Sequence, residues 1–222
     1  TVPSDSLQMT AIGKLAAGTG VDSVAVGYLD DVYGRGLADS FTADAQNRTF
    51  TITDEVPFTA DQEDLTETVD RLLTGAPGVI VVLGGADDGT RLLAALDTAT
   101  QGRERPKVIV NDAIRSGRQA IPALSDEFRS VVTGVAPLAK PVTLGDAEGF
   151  FTANAVDCVN LIALAAVQGR SDSPLTIQTN MAAVSVGGAN CVSFADCVEK
   201  LGSGLQIDYN GQTGSVELST TT

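Results

Sequence analysis

The chain has 222 residues, of which 43% are hydrophobic and 19% charged, a balance typical of a globular protein and not of a disordered one. Its 28 acidic and 14 basic residues give a formal net charge of −14, which repels phosphate backbones and anionic lipids, so we expect no nucleic-acid partner. The chain contains no histidine, which excludes a Ser-His-Asp triad and a histidine-ligated zinc site.

Short apolar strands alternate with amphipathic helices through the first part of the chain. Helices are predicted at Ser6–Ala17, Gly36–Gln46, Leu65–Leu73, Leu92–Ala99 and, interrupted by Pro122, Gln119–Phe128. Strands are predicted between them, at Ser23–Leu29, Thr49–Ile52, Gly78–Leu83, Lys107–Val110 and Val131–Val135. Thr59 and Gln62 have the spacing of a capping box before the third helix. This alternation predicts an α/β fold, a three-layer αβα sandwich with a mainly parallel sheet.

The last third has a different pattern, and no low-complexity linker precedes it. A long helix is predicted at Asp146–Gln168, with Phe151, Ala155, Val159, Ile162 and Ala166 on one side. A helix at Leu175–Ala183 and a short helix in the cysteine segment follow. Strands are predicted at Ile207–Tyr209 and Ser215–Leu218, around a YNGQTG turn.

Two of the three cysteines, Cys191 and Cys197, lie close together in the sequence. Two thiols without further ligands are too few for zinc, so a local disulfide is the preferred interpretation and two reduced surface thiols are the alternative. A disulfide would indicate an oxidising compartment. Cys158 has apolar neighbours at helical spacing, which predicts a buried free thiol.

Candidate binding residues follow the predicted strands, because ligands of open α/β sheets bind beyond the carboxyl ends of the strands. They are Asp30, Asp31 and Tyr33 after the first strand, Asp87 and Asp88 after the third, Asn111 and Asp112 after the fourth, and Lys140 after the fifth.

Each of these residues also has a structural interpretation. Asp30 and Asp31 could form a solvated turn, Tyr33 could pack under its loop, and Asp87 or Asp88 could cap the next helix. Asp112 directly follows an apolar strand, and no strongly periodic helix begins after it, which favours a functional role.

No motif organises a reaction. GGADDG lacks the Gly-Lys-Ser/Thr ending of a phosphate loop, and GYLDDVYG is not a dinucleotide fingerprint. Paired carboxylates could transfer protons, but nothing else in the chain supports catalysis. We therefore expect no enzyme, no metal site and no cofactor.

Several segments together closely resemble the leucine/isoleucine/valine-binding class of type I periplasmic binding proteins, which serve ABC importers. They are TVPSDSLQMTAIGKLA, VAVGYLDDVYGRGLADSF, VIVVLGGADDGTRLLAAL, DCVNLIALAA and GLQIDYNGQTGSVEL, and they cover nearly the whole chain. The resemblance implies two α/β lobes joined by three crossovers, a ligand in the cleft between them, and membrane subunits of an ABC transporter as partners. It also implies an extracytoplasmic location, in the periplasm or at the cell surface.

The resemblance further implies that residues 1–222 form a single lobe, the second, and that the first lobe and the final strands lie outside this sequence. Family roles are carried over to Tyr33 as an aromatic contact, to Ala86 or Asp87 as the residue after the third strand, and to Asp112 as the acid that holds an ammonium group. Many amino-acid binders have an aromatic residue where this chain has Ala86 and Asp87. This departure favours a polar or cationic ligand, or a different pose of the ligand, over a purely aliphatic ligand.

The expected function is capture of a small amino-acid-like solute, an amino acid or a related amine or amide, for import. One alternative is the ligand-sensing lobe of a receptor or regulator with the same fold. Another is a Mg²⁺-dependent phosphoacceptor receiver domain, suggested by Asp30, Asp31 and Lys140. The third predicted strand ends in Leu83-Gly84-Gly85 without the acid that such a domain requires.

Overall fold

The computed structural model describes residues 2–117, 120–136 and 151–218. The chain divides into two compact units, one formed by Pro3–Pro137 and the other by Leu138–Thr222 together with the first two residues. We call them the larger and the smaller unit. The resemblance implies that the whole chain is a single lobe, and this division into units leaves that expectation a prediction.

The larger unit contains a parallel sheet flanked by helices. Its strands are β1 (Ser23–Leu29), β2 (Thr51–Phe58), β3 (Val79–Leu83), β4 (Lys107–Val110) and β5 (Val132–Gly134). Its helices are α1 (Asp5–Gly18), α2 (Val32–Ala45), α3 (Thr66–Leu73), α4 (Ala86–Ala99) and α5 (Asp126–Arg129), with 3-10 helices at Asp112–Gly117 and Ile121–Ala123. The strand order is β2-β1-β3-β4-β5 and every pairing is parallel. The predicted α/β class with a parallel sheet is confirmed.

The centre of this sheet is buried on both faces. All five residues of β3 are buried, as parallel sheets covered by helices require. Ile80 and Val82 pack with Leu92 of α4, whereas Val79, Val81 and Leu83 belong to the cluster that contains residues of α1 and α2. The helices therefore form a layer on each side of the sheet, as the three-layer prediction requires.

Three local predictions for the larger unit were wrong. Strand β2 extends to Phe58, because it is an edge strand whose outward residues are polar and hide the apolar pattern. The backbone N–H of Thr59 does donate to Oε1 of Gln62, but α3 begins later, at Thr66, so the pair is not a capping box. The predicted helix Gln119–Phe128 is replaced by the short 3-10 helix that contains Pro122 and by α5.

The smaller unit packs helices on a short sheet. Its helices are α6 (Thr152–Gly169), α7 (Pro174–Asn180) and α8 (Phe194–Gly202), with a 3-10 helix at Ala182–Val184. Its strands are β6 (Ala189–Cys191), β7 (Ile207–Gly211) and β8 (Gly214–Ser215), in the order β6-β7-β8, with β6 parallel and β8 antiparallel to β7. The predicted beginning of its long helix, residues 146–150, lies outside the described residues.

The predicted disulfide is confirmed, and the prediction for the third cysteine was wrong. Cys191, at the end of β6, is bonded to Cys197 of α8, and both are fully buried. Cys158 is a free thiol, but it is exposed. The reason is the orientation of α6, which turns Asp157 and Leu161 into the core and leaves its other apolar side outside.

A buried carboxylate on α6 holds the YNGQTG turn in place. Asp157 accepts hydrogen bonds from the Tyr209 hydroxyl, from the backbone of Gln212, and from both the backbone and the hydroxyl of Thr213, at 2.7–2.9 Å. Burial alone would raise the pKa of Asp157, but these hydrogen bonds outweigh it and hold the pKa below its ordinary value. The turn that contributes to the family resemblance therefore has a structural role in this chain.

Candidate functional site

The carboxyl edge of the larger sheet contains a topological switch point. Strand β2 lies on one side of β1, whereas β4 and β5 lie beyond β3, so the chain leaves the neighbouring strands β1 and β3 in opposite directions. Ligands of open α/β sheets bind in the crevice that such a reversal creates. The segments that follow β1, β3 and β4 contain all four predicted site residues, Tyr33, Ala86, Asp87 and Asp112.

The two carboxylates that follow β1 shape the turn into α2. Asp31 is the N-cap residue of α2, and its Oδ1 accepts from the Gly34 backbone N–H at 2.6 Å. Oδ1 of Asp30 pairs with Nε of Arg35 at 2.7 Å, and this hydrogen bond holds the pKa of Asp30 below its ordinary value. A Cβ at Gly34 would collide with the carbonyl oxygen of Leu29. These contacts favour the structural interpretation of Asp30 and Asp31.

After β3 the chain enters α4 directly. Gly85 is the N-cap residue, so neither Asp87 nor Asp88 caps the helix, although both lie in its first turn, where the helix dipole favours negative charge. Asp88 accepts from the Asp61 backbone N–H and pairs with Arg91. Asp87 is exposed, and its carboxylate makes no hydrogen bond or ion pair within the described part of the chain.

One buried amide connects the three segments at this edge. Asn111, at the end of β4, is completely buried. Its Oδ1 accepts from the Gly84 backbone N–H, and its Nδ2 donates both to the Gly84 carbonyl oxygen and to the Tyr33 phenolic oxygen, at 3.1–3.2 Å. The sequence analysis includes Asn111 among its candidates but assigns it no role. Its position directly before Asp112, at the end of a buried strand, is the signal that could have identified it.

Tyr33 places a partly exposed ring among carboxylates. The residue is 37% exposed, and the partial burial of the ring raises the pKa of its phenol. The hydrogen bond from Asn111 acts in the opposite direction, whereas the negative charges of Asp112, Asp5 and Asp31 raise the pKa further. Asp5 lies in the first turn of α1. Asp5 is not among the residues predicted from the sequence, because only the packing of α1 against α2 brings it near Tyr33.

Asp112 is partly buried and begins a short 3-10 helix, and no strongly periodic α-helix starts there. Its carboxylate makes no hydrogen bond or ion pair with another residue that the structure describes. Among the other carboxylates predicted from the sequence, Asp30, Asp31 and Asp88 bind Arg35, Gly34 and Arg91, whereas Asp87 has no such side-chain partner in the described residues. Among the described residues, the carboxylate of Asp112 therefore has no protein partner.

The structure brings Tyr33, Asn111 and Asp112 together. Ala86 and Asp87 lie at the same edge on the neighbouring segment, but in the described residues no hydrogen bond or ion pair joins them to these three. Lys140 lies outside the described residues.

In residues 2–117, 120–136 and 151–218, no three His, Cys, Asp or Glu side chains are grouped so that they could hold a metal ion. None of the described helices is long and apolar enough to cross a membrane.

A family model described as "Periplasmic binding protein" matches residues 1–173. The chain therefore belongs to the periplasmic binding protein family, and this membership sets aside the receiver-domain alternative. One relative is the chemotactic signal transduction system substrate-binding protein BasB of Halobacterium salinarum. It is 23% identical, and the match covers 99% of this chain and 54% of BasB.

Two solved structures share the fold. One is an ABC transporter substrate-binding protein from Desulfitobacterium hafniense in complex with Leu (20% identity, TM-score 0.56), in which the match covers 99% of this chain and 59% of the other. The second is a solute-binding protein of an ABC transporter from R. palustris in complex with benzoate (12% identity, TM-score 0.62), with 83% and 54% covered. The chain spans little more than half the length of these relatives.

Proposed function

We propose that the full-length protein is an extracytoplasmic solute-binding protein of an ABC importer, and that the larger unit forms one wall of its ligand cleft. The ligand is a small amino-acid-like solute that carries an ammonium group or a related amide. The rest of the full-length protein supplies the opposite wall, and hinge closure of the two walls captures the solute. No covalent chemistry takes place.

The availability of Asp112 carries this proposal. An ammonium group that leaves water needs a charged or hydrogen-bonding partner, and a carboxylate without a protein partner provides one. The ring of Tyr33 lies nearby, so its face can contact the same cation. Asn111 holds the ring in place, which lowers the entropic cost of ordering it when the ligand binds.

The charge of the chain supports a cationic group on the ligand. The net charge is −14, and Asp5 and Asp31 add to the negative potential around Tyr33. Such a field raises the local concentration of cations and speeds their association. Asp87 is exposed at the same edge, and we propose that it adds polar selectivity at the position where many amino-acid binders have an aromatic residue.

The fold alone does not define the ligand. One structural neighbour is a complex with Leu and the other a complex with benzoate, which has no amine. The preference for an amine therefore rests on Asp112. The Cys191–Cys197 disulfide supports an extracytoplasmic location, because disulfides persist in oxidising compartments.

A sensory role is the second candidate, because BasB is named as part of a chemotactic signal transduction system. Both roles need the same ligand site. They differ in whether a transporter or a receptor binds the protein once the ligand is in place. Deletion of the gene would abolish uptake of the radiolabelled ligand if the protein serves an importer. It would abolish only movement towards the ligand if the protein serves a receptor.

A thermal-shift screen of the full-length protein tests the ligand class. The panel contains amino acids, their amides and small polyamines, each beside an N-acetylated analogue, with carboxylic acids such as benzoate as a separate group. We expect an amine to raise the melting temperature and its N-acetylated analogue to have no effect, because acetylation removes the positive charge. A shift with carboxylic acids alone would contradict the proposal.

A further inference from the structure

A cavity lies at the amino ends of the strands of the larger unit, at the opposite edge of the sheet from the candidate ligand site. Its volume is about 540 Å³, and segments that precede β1, β3 and β4 line it. Small-molecule sites have volumes of roughly 300–1,000 Å³, so the cavity is large enough for a small ligand. The five residues of β3 separate the two edges by roughly 16 Å, so a small molecule in this cavity would not touch Tyr33 or Asp112.

The segment before β4 gives the cavity positive charge. Arg103, Arg105 and Lys107 line it, and Glu104 is the one acid among the described lining residues. Arg105 is already paired with Asp97, at 3.0 Å. Arg103 and Lys107 are exposed, and their side chains make no hydrogen bond or ion pair with the residues that the structure describes. Two cations without an acidic partner therefore border the cavity, in a chain whose net charge is −14.

This arrangement differs from that of most other basic side chains in the described part of the chain. The following basic residues each pair with an aspartate: Arg35, Arg48, Arg71, Arg91, Arg129 and Lys200. Arg103 and Lys107 are four positions apart, and neither has such a partner. An anionic ligand would provide one.

The rest of the lining is largely apolar. Val21, Leu73, Pro77 and Pro106 contribute carbon surface to the same cavity. Ala76 also lines it, with a φ of 50°, in the left-handed region that a residue with a Cβ adopts only at a cost. Strained residues of this kind cluster at functional sites. A ligand that fills the cavity therefore needs an apolar body as well as negative charge.

We propose that this cavity is a second binding site, separate from the ligand cleft, for a small organic dianion such as a phosphate monoester. The guanidinium of Arg103 can bind two oxygens of the anionic group, and the ammonium of Lys107 adds a point charge. The apolar body of the ligand contacts Leu73 and Pro77. A single carboxylate would leave one of the two cations unpaired, so the monocarboxylates of the ligand screen should not fill this site.

Binding of phenyl phosphate to the full-length protein tests the site. This probe joins a phosphate, which is a dianion at pH 8, to an apolar ring. Inorganic phosphate supplies the charge alone, and benzyl alcohol supplies the ring alone. In isothermal titration calorimetry, phenyl phosphate should bind roughly ten-fold more tightly than inorganic phosphate, because the ring buries apolar surface, and benzyl alcohol should not bind. Absence of phenyl phosphate binding, or equal affinities for the two phosphates, would overturn the proposal.

A pair of double variants assigns the charge. Arg103→Gln combined with Lys107→Gln should weaken phenyl phosphate binding roughly ten-fold or more, because the phosphate loses both cationic partners. The matched control is Arg71→Gln combined with Lys14→Gln, which removes the same two charges outside the cavity lining and should bind as the unchanged protein does. Equal weakening in the two double variants would show that only the net charge of the protein matters, and the assignment would fail.

Backbone chemical shifts locate the bound probe. In the ¹⁵N-labelled full-length protein, phenyl phosphate should move the amide signals of Ala76, Arg103 and Lys107 and leave those of Tyr33 and Asp112 unchanged. Shifts at Tyr33 and Asp112 instead would place the probe in the ligand cleft and overturn the second site. The inference does not rest on the proposed function. A ligand screen that finds no amine leaves these results unaffected, so the two proposals can fail separately.

Discussion

Nδ2 of Asn111 donates a hydrogen bond to the phenolic oxygen of Tyr33 at 3.2 Å, and the amide of Asn111 also forms two hydrogen bonds with the backbone of Gly84. One buried side chain thus joins the ends of β3 and β4 to the first turn of α2. Asp112 is the next residue along the chain. The amide of Asn111 therefore also anchors the segment that carries the carboxylate proposed to bind the ligand. Stability and ligand binding are therefore coupled at this position.

Asn111→Ala should lower both the stability of the larger unit and the affinity for ligand. The change leaves the N–H and C=O of Gly84 unpaired in a buried environment, which costs roughly 2–3 kcal/mol in the free energy of unfolding. Urea denaturation followed by circular dichroism measures this cost. Asn47→Ala, at an exposed position, is the matched control and should have little effect. Equal stabilities of the two variants would contradict the role of Asn111.

Replacement by alanine should change the stability of the protein in opposite directions at two glycines of α2. Gly34→Ala places a Cβ against the carbonyl oxygen of Leu29, so the turn that positions Tyr33 must shift and stability should fall. Gly36 has open space around its Cβ position, and Gly36→Ala should raise stability by roughly 0.5–1 kcal/mol because alanine favours a helix. Melting temperatures of the two variants test the pair. A Gly34→Ala variant with an unchanged melting temperature would show that the turn is not tightly constrained.

The smaller unit should lose stability at alkaline pH through Tyr209. Burial, together with the hydrogen bond to Asp157 and its negative charge, raises the pKa of Tyr209 to about 12. The unfolded chain therefore releases this proton near pH 10, before the folded chain does. The contribution, roughly 2–3 kcal/mol, is fully present below pH 10 and is lost as the pH rises to about 12.

Tyr209→Phe separates this loss from the titration of other groups. The free energy of unfolding of the variant should fall less between pH 10 and pH 12 than that of the unchanged protein, and denaturant titrations at several pH values measure the difference. Tyr28→Phe serves as the control, because Tyr28 lies in the larger unit and leaves the Tyr209 network intact. Parallel pH profiles for Tyr209→Phe and the unchanged protein would be inconsistent with the raised pKa.

Reduction should destabilise the smaller unit through the Cys191–Cys197 bond. The disulfide closes a short loop, for which the loss of chain entropy predicts about 2 kcal/mol. Cys191→Ser combined with Cys197→Ser should therefore lower the melting temperature, whereas Cys158→Ser should not. Thiol titration of the unfolded chain should find one free thiol before reduction and three after it. Three thiols before reduction would mean that the bond does not form.

The sequence was sufficient to predict the class of fold, and it indicated a place for the site that stays a prediction. Continuous apolar strands such as Gly78–Leu83 are typical of a sheet buried on both faces, and β3 is such a strand. The rule that ligands bind at the carboxyl ends of strands directed attention to Tyr33 and Asp112, which the structure brings together.

Features that depend on tertiary packing were not predictable from one sequence. Nothing local indicates that Asp5 lies near Tyr33, or that Asn111 bonds to Gly84 rather than to solvent. Periodicity indicated one apolar side of α6 but not whether that side faces its own unit, and the apolar neighbours of Cys158 placed this residue in the core. Thr59 and Gln62 matched a helix-start pattern, yet no helix begins there.

The affinity of the Asp112→Asn variant tests the central claim most directly. The change keeps the shape of the side chain and removes its charge, so the full-length protein should bind its amine ligand about 10–100-fold more weakly by isothermal titration calorimetry. Asp22→Asn removes the same charge at an exposed position just before β1, at the other end of the sheet, and should bind as the unchanged protein does. Equal affinities for Asp112→Asn and Asp22→Asn would contradict the assignment of Asp112 as the residue that holds the ammonium group.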